Sequence, residues 1–190
     1  MINLKNIILF SFIASIICCK AQSQVLPLIT ATSNIPNNAH VKDLNNELTP
    51  YIGNYKANFN GTEVTLFITK ENDKLIDYGE QKFYRDALVV KYIVKNSAGA
   101  ILQNTQNNNL PKIYIYSRKI RSTDSAVLFT YSGTNCRVGW GDIILKKIST
   151  TQLSWEYRPD DIILDSSKCP SGTDINIYLP ETKDLIFTKQ

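Results

Sequence analysis

The chain has 190 residues, of which 21 are Lys or Arg and 17 are Asp or Glu, giving a formal net charge of +4. A hydrophobic fraction of 43% is typical of a globular protein, and so small a net charge gives no indication of nucleic-acid binding. Because His40 is the only histidine, the sequence excludes metal sites that need two imidazole ligands. These counts predict one globular domain, and they identify no reaction.

The first 18 residues predict a signal peptide. Lys5 precedes an apolar run, residues 7–18, that carries no charge. As a helix this run would be about 18 Å long, which is too short for a bilayer core of about 30 Å. We therefore predict an exported chain from which residues 1–18 are removed, rather than a transmembrane helix.

The residues around Cys19 resemble a bacterial lipobox. Ile16, Ile17 and Cys18 precede Cys19, which by this resemblance is the lipidated residue and the mature N-terminus. Cys18 stands where such boxes usually carry Gly, Ala or Ser, so lipidation of Cys18 stays an alternative. Cleavage after Ala21, at a small-x-Ala site, would instead release a soluble protein. The two or three acyl chains of bacterial lipoproteins imply a stable membrane tether.

The lipobox resemblance implies an outer-membrane lipoprotein that contacts the membrane through its N-terminal lipid. By the same resemblance, lipoproteins exported to the cell surface would carry a short acidic signal after the lipidated cysteine. Residues 20–22 contain no acidic residue. We therefore expect a domain that faces the periplasm. Surface exposure and soluble secretion are the alternatives.

Cys136 and Cys169 are the only cysteines that follow the leader. In an oxidising compartment a single pair predicts a disulfide. Two buried free thiols are the alternative. A Cys–His nucleophile is not expected, because His40 has no evident orienting partner in its Asn- and Pro-rich surroundings.

The mature chain divides at residue 48. Residues 19–47 are predicted to form the lipidated N-terminus and a flexible tether, because Ser, Thr, Asn and Pro are frequent and no period of 2 or 3.6 persists. Residues 48–190 are predicted to form a single all-β domain, because apolar and polar residues alternate from there onward.

The clearest element of this domain is a β-hairpin at Asn60-Gly61. Residues on both sides of this dipeptide alternate between apolar and polar, and Asn-Gly is a strong signal for a two-residue turn. Such a turn fixes the register because a slip by one residue would reverse the two faces. It predicts three pairs on the apolar face: Ala57 with Val64, Tyr55 with Leu66, and Gly53 with Ile68.

Alternating runs bounded by turn residues continue to the C-terminus. They predict strands at residues 74–78, 83–95, 100–104, 112–119, 126–133, 138–148, 152–158, 174–179 and 185–189. Short strands that follow each other closely predict an up-and-down meander, forming a lipocalin-like barrel or a strongly curved sheet. A β-sandwich is the alternative.

Three segments resemble known proteins. Gly53-Asn54-Tyr55 resembles the Gly-x-Trp signature that opens lipocalin-like barrels, with Tyr in place of Trp. Together with residues 19–22, the opening strand at residues 48–55 and the closing segment at residues 184–190 resemble an uncharacterised family of Bacteroidetes lipoproteins. This resemblance implies export and a small all-β domain, and it brings no activity and no catalytic residue.

Aromatic residues are the candidates for ligand binding. Trp140 lies between two glycines, which predicts a bulge or a close approach of another group. Tyr55, Tyr92 and Trp155 lie on predicted strands and would give the mouth of a barrel apolar walls with polar tips. In a narrow barrel, the same side chains would fill the core.

Acidic residues give no catalytic or metal site. Asp160, Asp161 and Asp165 form the densest acidic group, but they lack the alternating spacing and the glycine of a calcium loop. A glycoside hydrolase needs two carboxylates held across a cleft, for which Asp160, Asp161 and Glu80 are the candidates. Because no such constellation is visible, we predict no enzyme, no metal and no cofactor.

Taken together, the sequence predicts a non-catalytic, lipid-anchored protein of the cell envelope. Its β-barrel-like domain is expected to bind a small apolar molecule or a glycan, and not nucleic acid. The alternative is a structural or assembly protein that acts through protein contacts, which predicts an exposed apolar patch rather than a cavity. A hydrolase is the third hypothesis.

Overall fold

The computed structural model describes residues 23–107, 113–165, 167 and 169–190. The predicted signal peptide at residues 1–18 and the predicted lipidation site at Cys19 lie outside the described residues. Within them the chain forms strands and three short 3-10 helices. The strands are β1 (Val25–Pro27), β2 (His40–Lys42), β3 (Gly53–Phe59), β4 (Thr62–Asp77), β5 (Lys82–Lys95), β6 (Ile101–Asn104), β7 (Ile115–Arg121), β8 (Ala126–Tyr131), β9 (Gly141–Lys147), β10 (Gln152–Pro159) and β11 (Leu185–Lys189). None of the described helices is long and apolar enough to cross a membrane.

Eight strands close into an antiparallel up-and-down barrel of lipocalin-like size. Neighbouring strands follow the order β5, β4, β3, β11, β10, β9, β8 and β7, and β7 pairs back onto β5. This last pairing joins Val89 to Tyr116 and Val90 to Ile115, so the sheet has no free edge there. The predicted lipocalin-like barrel is confirmed, and the β-sandwich alternative is excluded.

The hairpin of β3 and β4 has the predicted register. Gly53 pairs with Ile68, Tyr55 with Leu66 and Ala57 with Val64. The two turn residues, Asn60 and Gly61, have φ angles of 48° and 77°. Because a type I′ turn needs positive φ at both central positions, Asn-Gly is the dipeptide that fits it with least strain.

Two of the other predicted strands differ from the structure. Residues 74–78, predicted as a separate strand, continue β4 as far as Asp77 instead, and a β-bulge between Glu71 and Lys74 stands where the two strands were expected to be divided. Residues 174–179, predicted as a strand, form none. There the Asp174 carboxylate accepts a hydrogen bond from the Asn176 amide at 3.0 Å, and such a local turn competes with strand pairing.

The N-terminal segment at residues 25–43, here called the strap, packs against the barrel. Its strand β2 runs parallel to both β1 and β5. Leu28, Ile35 and Val41 of the strap are buried in the main hydrophobic core. Most of the predicted tether at residues 19–47 is therefore part of the folded domain, because several of its apolar residues are buried although they follow no regular period.

Large side chains fill the barrel interior. The most deeply buried of them come from strands all round the wall: Tyr55, Leu66, Ile68, Leu88, Tyr92, Ile115, Phe129, Tyr131, Trp155 and Phe187. One end of the barrel, here called the strap end, is covered by the 3-10 helix Thr49–Tyr51. There the Tyr51 hydroxyl donates a hydrogen bond to the Ser125 carbonyl at 2.7 Å.

The opposite end, here called the loop end, carries two long connections at residues 132–140 and 160–184, besides the one between β6 and β7. A disulfide joins Cys136 of the first to Cys169 of the second, across a sequence separation of 33. The predicted disulfide is confirmed. It stabilises a part of the chain that contains little regular structure of its own.

Candidate functional site

Two of the predicted ligand residues, Tyr92 and Trp155, lie in the core at the loop end. Both are at most 1% exposed. The Tyr92 hydroxyl donates a hydrogen bond to Gln103 Oε1 at 2.6 Å, and Trp155 Nε1 donates one to the Pro180 carbonyl at 2.8 Å. The protein itself therefore uses the polar tips of both side chains, which hold the loops against the barrel. Ligand contact by either residue stays a prediction.

The other two predicted residues, Tyr55 and Trp140, have different surroundings. Tyr55 is buried, and its hydroxyl has no hydrogen-bond partner within the described structure; burial raises its pKa. Trp140 is half-buried at the loop end, where the Arg137 guanidinium lies 5.7 Å from its ring centroid. Of the four aromatic candidates, Trp140 is the one that solvent reaches. Its contact with a ligand also stays a prediction.

The acidic candidates do not come together. Asp160 and Asp161 are exposed at the loop end, at the start of the connection that follows β10. Glu80 lies in the turn between β4 and β5, at the opposite end of the barrel. Glu80 therefore forms no carboxylate pair with either of them across a cleft. Over the described part of the chain, no group of three or more His, Cys, Asp or Glu is arranged to hold a metal ion.

The barrel wall opens between β5 and β7. These strands pair at only two positions, and toward the strap end β5 pairs with β2 instead, through His40–Tyr84 and Val41–Arg85. The Leu88 amide donates a hydrogen bond to the Ser117 hydroxyl at 2.8 Å where the two strands part. We call the gap between β7 and the strap the seam.

A cavity of about 300 Å³ lies in the seam. Residues 28–32 of the strap form one wall, and Tyr78, Arg85, Arg118 and Lys119 form the other. Aliphatic side chains, threonine hydroxyls and three cationic groups therefore face one space. The lining contains no carboxylate.

Arg85 is the most unusual residue of this lining. The residue is 4% exposed, and one guanidinium nitrogen donates a hydrogen bond to the Leu28 carbonyl at 2.8 Å. Within the described residues, no carboxylate lies at ion-pair distance from it. Burial lowers the pKa of Arg85, but an arginine keeps its charge in proteins. The seam therefore holds a buried cation without an anion.

Arg118, in the same lining, has a hydrogen-bond donor that is not used. The residue lies at the irregularity of the β7–β8 ladder between Ser117 and Lys119. One end of its guanidinium binds the Asp142 carboxylate at 2.6 Å. Its Nε, which is buried, has no acceptor among the described residues.

A family model matches the whole chain, residues 1–190. The chain belongs to DUF6705, a family of unknown function. No curated protein matches this DUF6705 chain, and no solved structure matches it. Its function must therefore be inferred from its own residues.

Ion pairs hold the end of the strap, at Lys42 and Asp43, against β4 and β5 of the DUF6705 barrel. Lys42 Nζ lies 2.8 Å from the Asp86 carboxylate and 2.9 Å from that of Asp73, and Lys70 Nζ lies 2.7 Å from Asp43. Burial alone would raise the pKa of Asp86, but hydrogen bonds from Lys42 and from two backbone amides hold it below its usual range. These buried and half-buried charges are paired, in contrast to Arg85.

Two further depressions lie at the loop end. One of about 350 Å³ lies beside the disulfide and is lined by Arg137 and residues 162–165. Another of about 470 Å³ lies between the turn residues 58–63 and 95–99. Both are formed by partly or fully exposed residues, so neither isolates a charged group from water as the seam does.

Sequence reasoning did not select Arg85. It considered the basic run that contains Arg118 and Lys119 as a contact for anionic headgroups or acidic glycans, and favoured a solvated strand end. The cavity that joins the three residues depends on the strap, which was predicted to be a tether, and on the meeting of β5 and β7, which are distant in sequence. One signal was available. The adjacent charges Arg85-Asp86 lie inside a long strand whose other members, from Phe83 to Val94, are mostly apolar.

Proposed function

We propose that this DUF6705 protein is a non-catalytic binding protein whose ligand site is the seam cavity. One observation carries the proposal: a cavity of about 300 Å³ contains two buried residues, Leu28 on the strap and Arg85 on β5, among partly and fully exposed ones. Binding sites for small molecules are typically concave, mostly apolar and equipped with a few polar groups. The seam is concave and combines apolar side chains with a larger polar share than is typical, whereas the barrel interior is occupied by the protein's own side chains.

The size of the cavity limits the ligand. A volume of about 300 Å³ is at the lower end of the range for small-molecule sites. This favours a small molecule over a glycan chain, the other ligand class expected from the sequence. Ile29 and Ala31 offer apolar contacts near the mouth, where both side chains are exposed.

Ligand-observed NMR with six-carbon probes tests this site. We expect at least one of hexanol, hexanoate and hexylamine to bind the full chain. Ala31→Trp, which fills the mouth of the cavity, should abolish that binding. Ala98→Trp, in an exposed turn outside the cavity, is the matched control and should bind as the wild type does. Binding that Ala31→Trp leaves unchanged would refute the seam as the site.

We also propose that the domain is anchored to the cell envelope through lipid on Cys19, as in the Bacteroidetes lipoproteins that the chain resembles. The leader at residues 1–18 and the lipobox supply the support. An outer-membrane protein that faces the periplasm is the arrangement we favour. Its partners are then the membrane, through the lipid, and the small ligand.

Metabolic labelling with an alkyne analogue of palmitate, in a bacterial host with the lipoprotein pathway, tests the anchor. Wild-type protein should be labelled and should sediment with membranes. Cys19→Ser should lose both properties, whereas Cys18→Ser should keep them. Labelling lost only in Cys18→Ser would move the lipid to Cys18, and an unlabelled wild-type chain would refute the anchor.

A second function, assembly through protein contacts, has one specific observation in its favour. Ile163 is 95% exposed and Leu164 44% exposed, on the disulfide-linked connection at the loop end. Exposed apolar patches often mark interaction sites. An envelope protein that crosslinks to the wild-type chain but not to Ile163→Asp would support this function, and equal crosslinking would refute it.

A further inference from the structure

We propose that the seam cavity recognises an oxyanion, a carboxylate or a phosphate, carried on a short apolar chain, and that Arg85 is the residue that pairs with it. This inference rests on the proposed function, which makes the cavity a ligand site, and it adds the chemical class of the ligand. It is carried by three independent features of the seam, namely an unpaired cation, an unused donor and the sign of the surrounding charges.

The unpaired cation is the guanidinium of Arg85. Transfer of a charged group from water into a protein interior is costly unless a counter-ion compensates for it. The described structure supplies one carbonyl, that of Leu28 at 2.8 Å, and no carboxylate. A guanidinium has five N–H donors in a planar fork that fits a carboxylate or phosphate. A bound oxyanion would therefore provide the partner that the fold does not.

The unused donor is Nε of Arg118. Buried donors in proteins are nearly always hydrogen-bonded, so an exception needs an explanation. Asp142 already binds the other end of this guanidinium, at 2.6 Å, which fixes the side chain without satisfying Nε. Since Arg118 and Arg85 line the same cavity, one bound oxyanion is the acceptor that both lack.

The charged side chains that line the cavity are all cationic, although Asp142 outside the lining pairs with Arg118. Lys119 joins the two arginines in the lining, and no Asp or Glu faces the cavity. The nearby ion pairs of the strap show that the fold can place carboxylates beside cations, as it does with Asp86 beside Lys42 at 2.8 Å. The absence of such a partner at Arg85 therefore distinguishes the seam from its surroundings.

The apolar part of the ligand is set by the other lining residues. Leu28 is buried, Ile29 is 65% exposed, and the Tyr78 ring is half-exposed at the edge of the cavity. An anion bound at Arg85 would therefore leave its hydrocarbon end among aliphatic and aromatic carbon atoms. Inorganic phosphate would occupy only the cationic part.

Isothermal titration calorimetry of the full chain with four probes tests the inference: hexanoate, hexyl phosphate, inorganic phosphate and hexanol, at one fixed ionic strength. Hexanoate or hexyl phosphate should bind at least tenfold more tightly than hexanol and than inorganic phosphate. Arg85→Met should weaken the tighter of the two by at least tenfold, because charge-assisted hydrogen bonds are among the strongest in proteins. Hexanol binding should change little.

Two further variants complete the experiment. Arg158→Met removes one arginine outside the cavity and should leave every affinity unchanged. If Arg85→Met does not fold, Arg118→Gln combined with Lys119→Gln should still weaken hexanoate or hexyl phosphate at least threefold.

The outcomes separate this inference from the proposed function. The assignment of an oxyanion ligand would be refuted if hexanol bound as tightly as the anions. It would also be refuted if the arginine substitutions left anion binding unchanged. Both outcomes would still leave a ligand site in the seam. Inorganic phosphate that binds as tightly as hexyl phosphate would overturn the apolar part. A failure of all six-carbon probes, hexylamine included, would overturn both proposals.

Discussion

Buried hydroxyl groups connect the barrel interior to its loops. The Tyr92 hydroxyl contacts both Gln103 and the Tyr131 hydroxyl, and Gln103 in turn donates to the Thr134 hydroxyl at 2.9 Å. The Tyr157 hydroxyl donates to the Gly139 carbonyl. Burial raises the pKa of Tyr131 to about 12, so these groups stay protonated and keep donating at physiological pH. The tyrosines therefore fix the position of the loops as well as filling space.

Tyr92→Phe tests this role. It removes a donor and leaves Gln103 Oε1 without its partner in a part-buried site, so the free energy of unfolding should fall by about 1–2 kcal/mol. Urea denaturation followed by tryptophan fluorescence gives the value. Tyr114→Phe, at a position that is 46% exposed, should change it by less than about 0.5 kcal/mol. Equal effects of the two substitutions would remove the case for the hydroxyl network.

The carboxylate of Asp86 makes the free energy of unfolding depend on pH in the acidic range. Its pKa is lowered from the model-compound value of 3.8 in the folded protein, despite burial, because Lys42 and two amides bind the ionised form. A group whose pKa is lower in the folded than in the unfolded state stabilises the fold above the unfolded value. This contribution is lost as the pH falls below about 4 toward the folded value.

Thermal unfolding between pH 6 and pH 3 checks the sign. The melting temperature of the wild type should decrease when the pH is lowered below 4. Asp86→Asn should have a lower melting temperature than the wild type at pH 6, but its melting temperature should decrease less on acidification. Asp161→Asn, at an exposed position, should follow the wild-type curve. A wild type and an Asp86→Asn that lose stability in parallel would show that the strap ion pairs do not contribute.

At the scale of single elements, local chemistry made part of the fold predictable. The β3–β4 hairpin could be predicted with its register because turn geometry and alternation agree within residues 53–68. The strap could not, because a Ser-, Thr- and Asn-rich segment with isolated apolar residues has no period to detect. Its strands β1 and β2 exist because β5 offers them an edge, which is a tertiary effect.

The disulfide between the two long connections gives a prediction at the same scale. Closing a loop of 33 residues contributes about 3–4 kcal/mol in the chain-entropy account. Dithiothreitol should therefore lower the free energy of unfolding by up to that amount, while the circular dichroism of the barrel is kept, because neither cysteine belongs to a strand. The Cys136→Ser, Cys169→Ser double variant should have the same free energy of unfolding as the reduced protein. Dithiothreitol should not change the stability of this variant. A reduced wild type as stable as the oxidised one would contradict the prediction.

At the scale of the whole molecule, closure of the barrel depends on two short ladders, that of β5 with β7 and that of β3 with β11, each of two residue pairs. The pairing of β4 with β5 extends from Glu63 to Asp77, whereas β5 and β7 share two residue pairs. Local opening has the lowest free energy where few backbone hydrogen bonds must break. The β5–β7 ladder beside the seam is therefore one of the two places where we expect the barrel to open first.

Hydrogen–deuterium exchange with mass spectrometry tests this expectation. Peptides that cover residues 115–117 of β7 should exchange at least tenfold faster than peptides that cover residues 64–68 of β4. A probe that binds the seam should slow the first set and not the second. Equal protection of the two regions would show that the barrel opens as one unit.

The candidate site could not be predicted from the sequence, for a reason that belongs to this larger scale. The aromatic candidates were selected because tyrosine and tryptophan line many cavities, yet an eight-stranded barrel is narrow enough for Tyr55, Tyr92 and Trp155 to fill it. Arg85 and Arg118 become neighbours only when β5 and β7 meet. The pairing of β5 with β7 results from the closure of the sheet, and no sequence motif predicts it.

The position of β11 also has a consequence for synthesis. This strand lies between β10 and β3, and the Gln190 amide donates to the Asn54 carbonyl at 2.9 Å. A nascent chain therefore keeps the edges of β3 and β10 unpaired until residues 185–190 have emerged from the ribosome. Until then the barrel cannot close, and those two unpaired edges are where a holding chaperone would be needed.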